Sequence, residues 1–545
     1  MVCLCVTGGG LIDPRFPKAE RLRAQGNLAE AAALYRELLS KFPNDPTSLM
    51  MLGLIAHQAG NLPLALQLIE SSLAQHPDFA PAWFNRSILL RVLGREDDAL
   101  RSTQMALEAD PTLAEAWDML AQILKTKGDL KEAIKAHQKA IELQPQNSQF
   151  YNNSASLLLE MNDLPGAFLA AQKAAELDPH YQPMVLGNIL KAMGHAEPAA
   201  LCFAKVRKIR PDYAEAAASE AMVRLQMGDM EEGWALWEQR PDLESKLKTI
   251  PFWDGQKVPS LLLYEDQGLG DALHFLRYIP FLENYASHIS LRIAPSLYRL
   301  CSENFPLLSL LKEDNPLPDV DARCRLSSLP FFFQKDLAEL PQTPYLHAQE
   351  DQRLSYRAKL EKNGRPRIGL VWAGNAQFLR DATRSIAFSH LTPLFADRPG
   401  HFISLQKNRP QDQVSLKSVA LFDASDLIED FSDTASLIAE LDLVITVDTA
   451  TAHLAGALGK PVFILLPFDS DWRWLIGRED SPWYKSARLF RQSSPGDWDT
   501  VIHSVHEALD KLWAGDTSVL LPAPWTSPCL HKNPYALPLP DPSIL

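Results

Sequence analysis

Residues 114–145 read "AEAWDMLAQILKTKGDLKEAIKAHQKAIELQP", and their reading decides the first half of the fold. Two runs of helical period flank Gly128, and Pro145 closes the second run. Amphipathic helices need a partner for the apolar stripe, and a glycine turn folds one run back onto the other. The same marks recur outward in both directions. Prolines stand at 43, 77, 111, 145 and 179, each 34 residues on, and Pro211 follows after 32. Gly26, Gly60, Gly94 and Gly128 keep that step, Asn162 takes the fifth place, and Gly194 and Gly228 follow. Ala31, Ala65, Ala99, Ala133, Ala167 and Ala199 share the phase.

A 34-residue helix–turn–helix unit with small residues where helices cross resembles the tetratricopeptide repeat. About six copies are expected over 18–243, after an N-terminal extension at 1–17. The alanines permit close helix approach, and the glycines end each first helix in a turn that favours positive φ. Stacked pairs form an all-α superhelix whose concave face commonly binds peptides; scaffolding or dimerisation is the alternative use. Trp234, Trp237 and Trp253 are expected to pack the last helix against the next domain rather than to form a sugar platform.

The chain has 545 residues, 46% hydrophobic and 22% charged, which fits several globular domains. A net charge of −14 argues against a non-specific grip on nucleic acid or anionic lipid. The six cysteines form no CxxC pair, and Cys3 with Cys5 is at most half a metal site, so a reduced chain is expected. The opening residues lack the charged and apolar regions of a signal peptide, and no window reaches the roughly 20 apolar residues of a membrane span. Cytoplasmic placement, with no integral membrane segment, is the expectation.

Beyond residue 255 short apolar runs alternate with helical stretches, an α/β pattern. "SLLLYEDQGLGDALHFLRYIPFL" (260–282) reads strand, glycine loop, helix; it is neither a Walker loop nor GxGxxG. Gly268 and Gly270 let backbone approach a ligand, and Asp271 opens the helix. "RPRIGLVWAGNAQFLRDATRSIAFSHLTPLF" (365–395) carries a polar loop with Arg380, Asp381 and Arg384. "VDTATAHLAGALGKP" (447–461) follows a buried strand and starts a helix, whose free N–H groups and threonine hydroxyls can hold a diphosphate. Two Rossmann-like lobes are expected, at 244–360 and 361–513, with a cleft between them and a proline-rich tail at 514–545. The tail is either disordered or strapped in extended form across a surface.

Three motifs, in order and spacing, are similar to those of glycosyltransferase family 9, the ADP-heptose heptosyltransferases. "QGLGDALHFLRYIP" (267–280) resembles their glycine–aspartate–leucine–histidine motif, "WAGNAQFLRDATRSI" their basic loop, and "VDTATAHLAGALGKP" their Asp-Thr-Gly-x-x-His motif. The layout looks like bacterial proteins that fuse tetratricopeptide repeats to such a module. The resemblance implies a GT-B fold, a nucleotide-diphosphate sugar as donor held mainly by the second lobe, and neither metal nor other cofactor. Asp271 matches the family's base, which takes the acceptor's proton, although capping the helix is an equal use and a helix N-terminus should lower its pKa. His274, one turn later, would support the site from behind or serve as an alternative base. Arg384 and Arg380 would neutralise the leaving diphosphate, unless they are solvated loop charges. Thr449 and Thr451 would touch phosphate, while Asp448 and His453 shape the loop; capping is the other use of Asp448. Ala450 stands where the motif has Gly, and an alanine forced to positive φ would be strained. Glu429 or Asp430 would reach a ribose hydroxyl. Asp469-Ser470-Asp471 reads as helix capping rather than a metal site.

The first lobe is short, which leaves the acceptor side open beside the repeats. The expected function is transfer of a sugar to a protein or peptide held by the repeats, not to a lipopolysaccharide core. The rival reading is a repeat-based binding protein with a degenerate transferase module.

Overall fold

The structure, a computed structural model, describes residues 13–178, 181, 183–241, 244–312, 314–334, 344–360, 365–377, 381–395, 400–407 and 421–522. Most of the expected N-terminal extension and of the proline-rich tail lies outside them.

The first fourteen helices pair in sequence: α1 (Arg15–Ala24) with α2 (Leu28–Lys41), α3 (Pro46–Gln58) with α4 (Leu62–Gln75), and α5 (Ala80–Val92) with α6 (Glu96–Ala109). Then come α7 (Ala114–Thr126) with α8 (Leu130–Leu143), α9 (Ser148–Glu160) with α10 (Leu164–Leu177), α11 (Met184–Ala192) with α12 (Ala196–Ile209), and α13 (Ala214–Met227) with α14 (Met230–Trp237). That makes seven helix pairs among the described residues where the repeat marks gave about six. The turn within α7–α8 shows why the pattern works. Gly128 adopts φ +83°, and Asp129 caps α8 by accepting from the Glu132 N–H. Ala133, Ala136, His137 and Ala140 then form the buried stripe of α8. Asn162 holds φ +61° where its counterparts are glycines, the substitution best tolerated at that conformation. All six phased alanines are fully buried. The prolines close a second contact: the indoles of Trp83 and Trp117 donate to the carbonyls of Pro77 and Pro111, at 2.7 and 2.8 Å.

The chain divides into two compact units, Met1–Val185 and Leu186–Leu545. The expected repeat region, 18–243, thus runs across the division between these units. The last helix pair shares the core of the α/β region: Ala221 and Leu225 on α13, Trp234 and Trp237 on α14, and Trp253 pack in one hydrophobic cluster with residues of both sheets. A helix pair whose outer face is apolar cannot end an array in water, so it is covered by the next layer.

The second unit holds two parallel sheets. The first has β1 (Val258–Tyr264), β2 (Ala286–Arg292), β3 (Ser309–Leu311) and β4 (Ala322–Arg325) in the order β3-β2-β1-β4. The second has β5 (Arg367–Val371), β6 (His401–Ser404), β7 (Leu421–Asp423), β8 (Leu443–Val447), β9 (Val462–Leu466) and β10 (Ala487–Arg491) in the order β10-β9-β8-β5-β6-β7. Every residue of β8 and β9 is buried, as parallel strands covered on both faces require. The flanking helices are α15 (Leu269–Phe275), α16 (Pro295–Asn304), α17 (Leu329–Phe333), α18 (Glu350–Lys359), α19 (Asp381–Arg384), α20 (Phe388–Leu391), α21 (Phe431–Ala439), α22 (Ala450–Ala457) and α23 (Trp498–Trp513). Helix α18, expected to close the first lobe, packs on α21 beside the second sheet, with Arg353 and Arg357 paired to Glu440. The lobes are not parted by an apolar gap; one hydrophobic cluster runs through both.

Candidate functional site

In the second sheet the chain runs from β5 outward to β7, then returns to place β8 on the other side of β5. Loops leaving β5 and β8 diverge, and ligands bind such α/β sheets at this switch point. The loop after β8 supplies Asp448 and Thr449; the one after β5 leads to α19 and Arg384. Arg384 is held there by design of its surroundings. Its Nε donates to Asp381 at 3.0 Å and its Nη1 to the Asp448 carbonyl at 3.0 Å. Arg380 lies outside the described residues.

Helix α22 begins at Ala450, with Thr449 as its extended N-cap. Ala450 is thus helical and not among the residues of positive φ, so the strain that a positive φ would bring does not arise. Thr446 Oγ1 donates to the Val447 carbonyl at 2.8 Å and lies 3.0 Å from Thr449 Oγ1. With its one proton used, Thr446 accepts from Thr449, which leaves Thr449 lone pairs but no proton for a phosphate. The backbone N–H groups of the first turn of α22 remain as donors at this end of the helix.

The first lobe meets this point through α15. A Cβ at Gly270 would lie 3.1 Å from His453 and 3.5 Å from the Ala450 Cα, so this glycine permits close packing between α15 and α22. Gly268 caps α15, and its N–H donates to Asp271 Oδ2 at 3.0 Å. The other oxygen of Asp271 pairs with Arg473 Nη2. Arg473 also donates through Nη1 to Asp471 at 2.7 Å, and its guanidinium lies 4.2 Å above the Trp472 ring. Burial holds the Asp271 carboxyl above its ordinary range, against the pull of Arg473; the lowering expected from the helix N-terminus loses. Burial, reinforced by Asp471, pushes Asp448 up to about 7.

His274 is fully buried and lies beneath the site rather than in it. Its Nδ1 is 3.1 Å from the Tyr484 hydroxyl, and His453 Nδ1 approaches the same hydroxyl at 2.9 Å. A hydroxyl has one proton, so Tyr484 donates to one imidazole and accepts from the other. Burial, with the arginines nearby, drives both histidines well below their ordinary pKa, and both are neutral. His453 also stacks on Trp474, 5.3 Å between centroids and 16° between planes. His453 is a buried residue in the first turn of α22.

Glu429 is exposed; Asp430 caps α21 and pairs with Arg299 of the first lobe at 2.6 Å. Asp471 caps the turn Trp472–Trp474, and Asp469 pairs with Lys191 of α11 at 3.0 Å. No group of three or more His, Cys, Asp or Glu placed to hold a metal occurs among the described residues. Sequence reasoning missed Arg473 and Tyr484. A signal for Arg473 is present in "DSDWRW" (469–474), an arginine between tryptophans after a strand, beside the more conspicuous aspartates.

Family models for the tetratricopeptide repeat match residues 16–78 and 114–147, and that for glycosyltransferase family 9 (heptosyltransferase) matches residues 429–475. The chain thus carries tetratricopeptide repeats in its N-terminal region and a segment similar to this transferase family in its C-terminal region. The matched segment contains Asp448, the start of α22 and Arg473, but not Asp271. Protein FlbA of Caulobacter vibrioides is 26% identical over 395 residues, which is 59% of this chain and 66% of FlbA. This chain therefore spans just under two thirds of that relative's length. Among solved structures, PilF of Pseudomonas aeruginosa is 16% identical, with a TM-score of 0.34 over 37% of this chain and 93% of its own. MamA is 20% identical, with a TM-score of 0.27 over 31% and 96%. No helix among the described residues is long and apolar enough to cross a membrane.

Proposed function

We propose that this protein is a GT-B glycosyltransferase that moves a sugar from a nucleotide-diphosphate donor to a protein acceptor recruited by the repeats. The observation that carries the reading is one cluster drawn from both lobes: Asp271, Asp448, Arg384 and Arg473 at the start of α22. Each has a task in such a transfer. The acceptor hydroxyl attacks the anomeric carbon, its proton passes to Asp271, and the bond to the diphosphate breaks with its electron pair on the leaving oxygen. Arg384 and the α22 N-terminus offset the charge that develops there, which makes the proposed transfer independent of a metal. Asp448 and His453 keep the loop in shape, and Glu429 is the exposed carboxylate nearest in sequence to the α21 cap for a ribose hydroxyl.

The test begins with a melting screen of the full chain against UDP-, GDP-, ADP- and dTDP-linked sugars. A ligand at 100 times its Kd should stabilise by about 2.7 kcal/mol. Arg384→Ala should weaken that binding at least tenfold, while Asp271→Asn should keep the binding and lose transfer. Mass spectrometry of candidate proteins incubated with the active donor reads the acceptor. Donor binding without transfer to any protein would favour the scaffold reading, and no binding at all would sink the transferase reading.

A further inference from the structure

Asp271 is occupied at both oxygens, one by the Gly268 N–H and the other by Arg473. A carboxylate so bound is a weaker proton acceptor than the same buried group without its cation, because one lone pair on each oxygen is engaged and Arg473 pulls against the effect of burial. The pairing is not a surface accident. Arg473 is 6% exposed, stacked on Trp472, and fixed by Asp471 on its other side. Its carbonyl accepts from the Trp483 indole at 2.5 Å, so the backbone of the turn is fixed while the guanidinium joins the lobes. Arg473 Nε has no hydrogen-bond partner among the described residues, which leaves a donor in reserve. The same guanidinium adds to the field at Asp448, the residue whose carbonyl Arg384 holds.

We propose that Arg473 is an exchangeable partner of Asp271: the donor's diphosphate draws the guanidinium onto its own oxygens, and only then is Asp271 free to take the acceptor's proton. The inference rests on the donor reading above and orders its steps. A diphosphate carries two negative charges and offers a guanidinium paired acceptors, so it competes well with one carboxylate. No covalent bond changes in the exchange itself. The consequence is that the base is masked while the site lacks a donor and unmasked once it is filled, so the donor binds before the acceptor's proton can leave. The groups facing Asp271 are Arg473 and Asp471 from the turn after β9, Asp266 from the loop after β1, and the Gly268 N–H. Once Arg473 turns away, the neighbours left are acidic, and burial favours the protonated form.

Donor binding should therefore be accompanied by proton uptake. The measurement is calorimetry of the full chain with the panel of UDP-, GDP-, ADP- and dTDP-linked sugars, at pH 6.5 in two buffers of different ionisation enthalpy. Their pyrophosphate diesters carry no group titrating near neutrality, so uptake reports the protein. Wild type should take up a measurable fraction of a proton per donor bound. Asp271→Asn should bind with that uptake gone. Arg473→Ala should bind at least tenfold more weakly with the uptake gone, and Arg473→Lys should restore part of both. If no nucleotide sugar binds, the donor reading falls and this one with it. If one binds with no uptake, or with uptake that survives Asp271→Asn, the donor reading stands and the exchange is wrong.

Discussion

Asp448 keeps its proton to about pH 7 in the folded chain, against 3.8 for an ordinary aspartate. Between those values the native state binds more protons than the unfolded chain, so its contribution to stability falls as pH rises through that window. Above pH 7 the carboxylate is ionised in both states, and the full penalty of holding the charge half-buried near Asp471 is present. Asp448→Asn keeps the shape and removes that penalty. The variant should be more stable than wild type by about 1–2 kcal/mol at pH 8 and equal to it near pH 4, a magnitude reduced for partial water access. Melting curves of both proteins at the two pH values check the sign; a variant less stable at pH 8 would show that the carboxylate is stabilised instead. Individual residues of this site were legible where they sit in one contiguous motif. Asp448, Thr451 and His453 follow from a strand running into a helix. Arg473 did not, because it becomes a partner of Asp271 only when two segments 202 residues apart are brought together.

At the scale of elements, the repeat helices were readable because their spacing is a packing rule. Ala99 is fully buried between Leu90 of α5 and Ile123 of α7, at a crossing too close for a larger side chain. Ala99→Trp should overpack it and lower stability by about 1–3 kcal/mol. Denaturant unfolding, followed by circular dichroism, should show an earlier helical transition; an unchanged midpoint would argue against the register. The strand–helix alternation was equally plain, and the sheet orders were not. Which strand lies beside which depends on long-range pairing, and a run such as "DLVITV" (442–447) fits any buried parallel position. The packing of Gly270 against α22 was hidden for the same reason: a glycine beside a loop looks the same whether a ligand or another helix comes close.

At the scale of the molecule, the end of the repeat array is part of the α/β unit. Helix α11 holds Asp469 through Lys191, Gln226 of α13 donates to the Ser470 carbonyl at 2.8 Å, and Trp234 of α14 meets Trp472 edge-on at 5.1 Å. These contacts grip the segment that carries Asp471 and Arg473. A fragment starting at residue 244 would lose Met230, Trp234, Leu236 and Trp237 from the core. It should be insoluble or lack fixed tertiary packing, whereas one starting at Met184 should unfold cooperatively with native near-ultraviolet dichroism. A well-folded 244–545 fragment would show that the last helix pairs are not needed by the core.

That seam also sets what kind of change the gene can absorb. In a repeat array each unit touches only its neighbours, so duplicating or deleting a 34-residue copy ahead of α11 alters length and leaves the grip on residues 469–474 intact. A change in copy number there would lengthen or shorten the repeat array alone, whereas a change in the final helix pairs would act on the segment they hold.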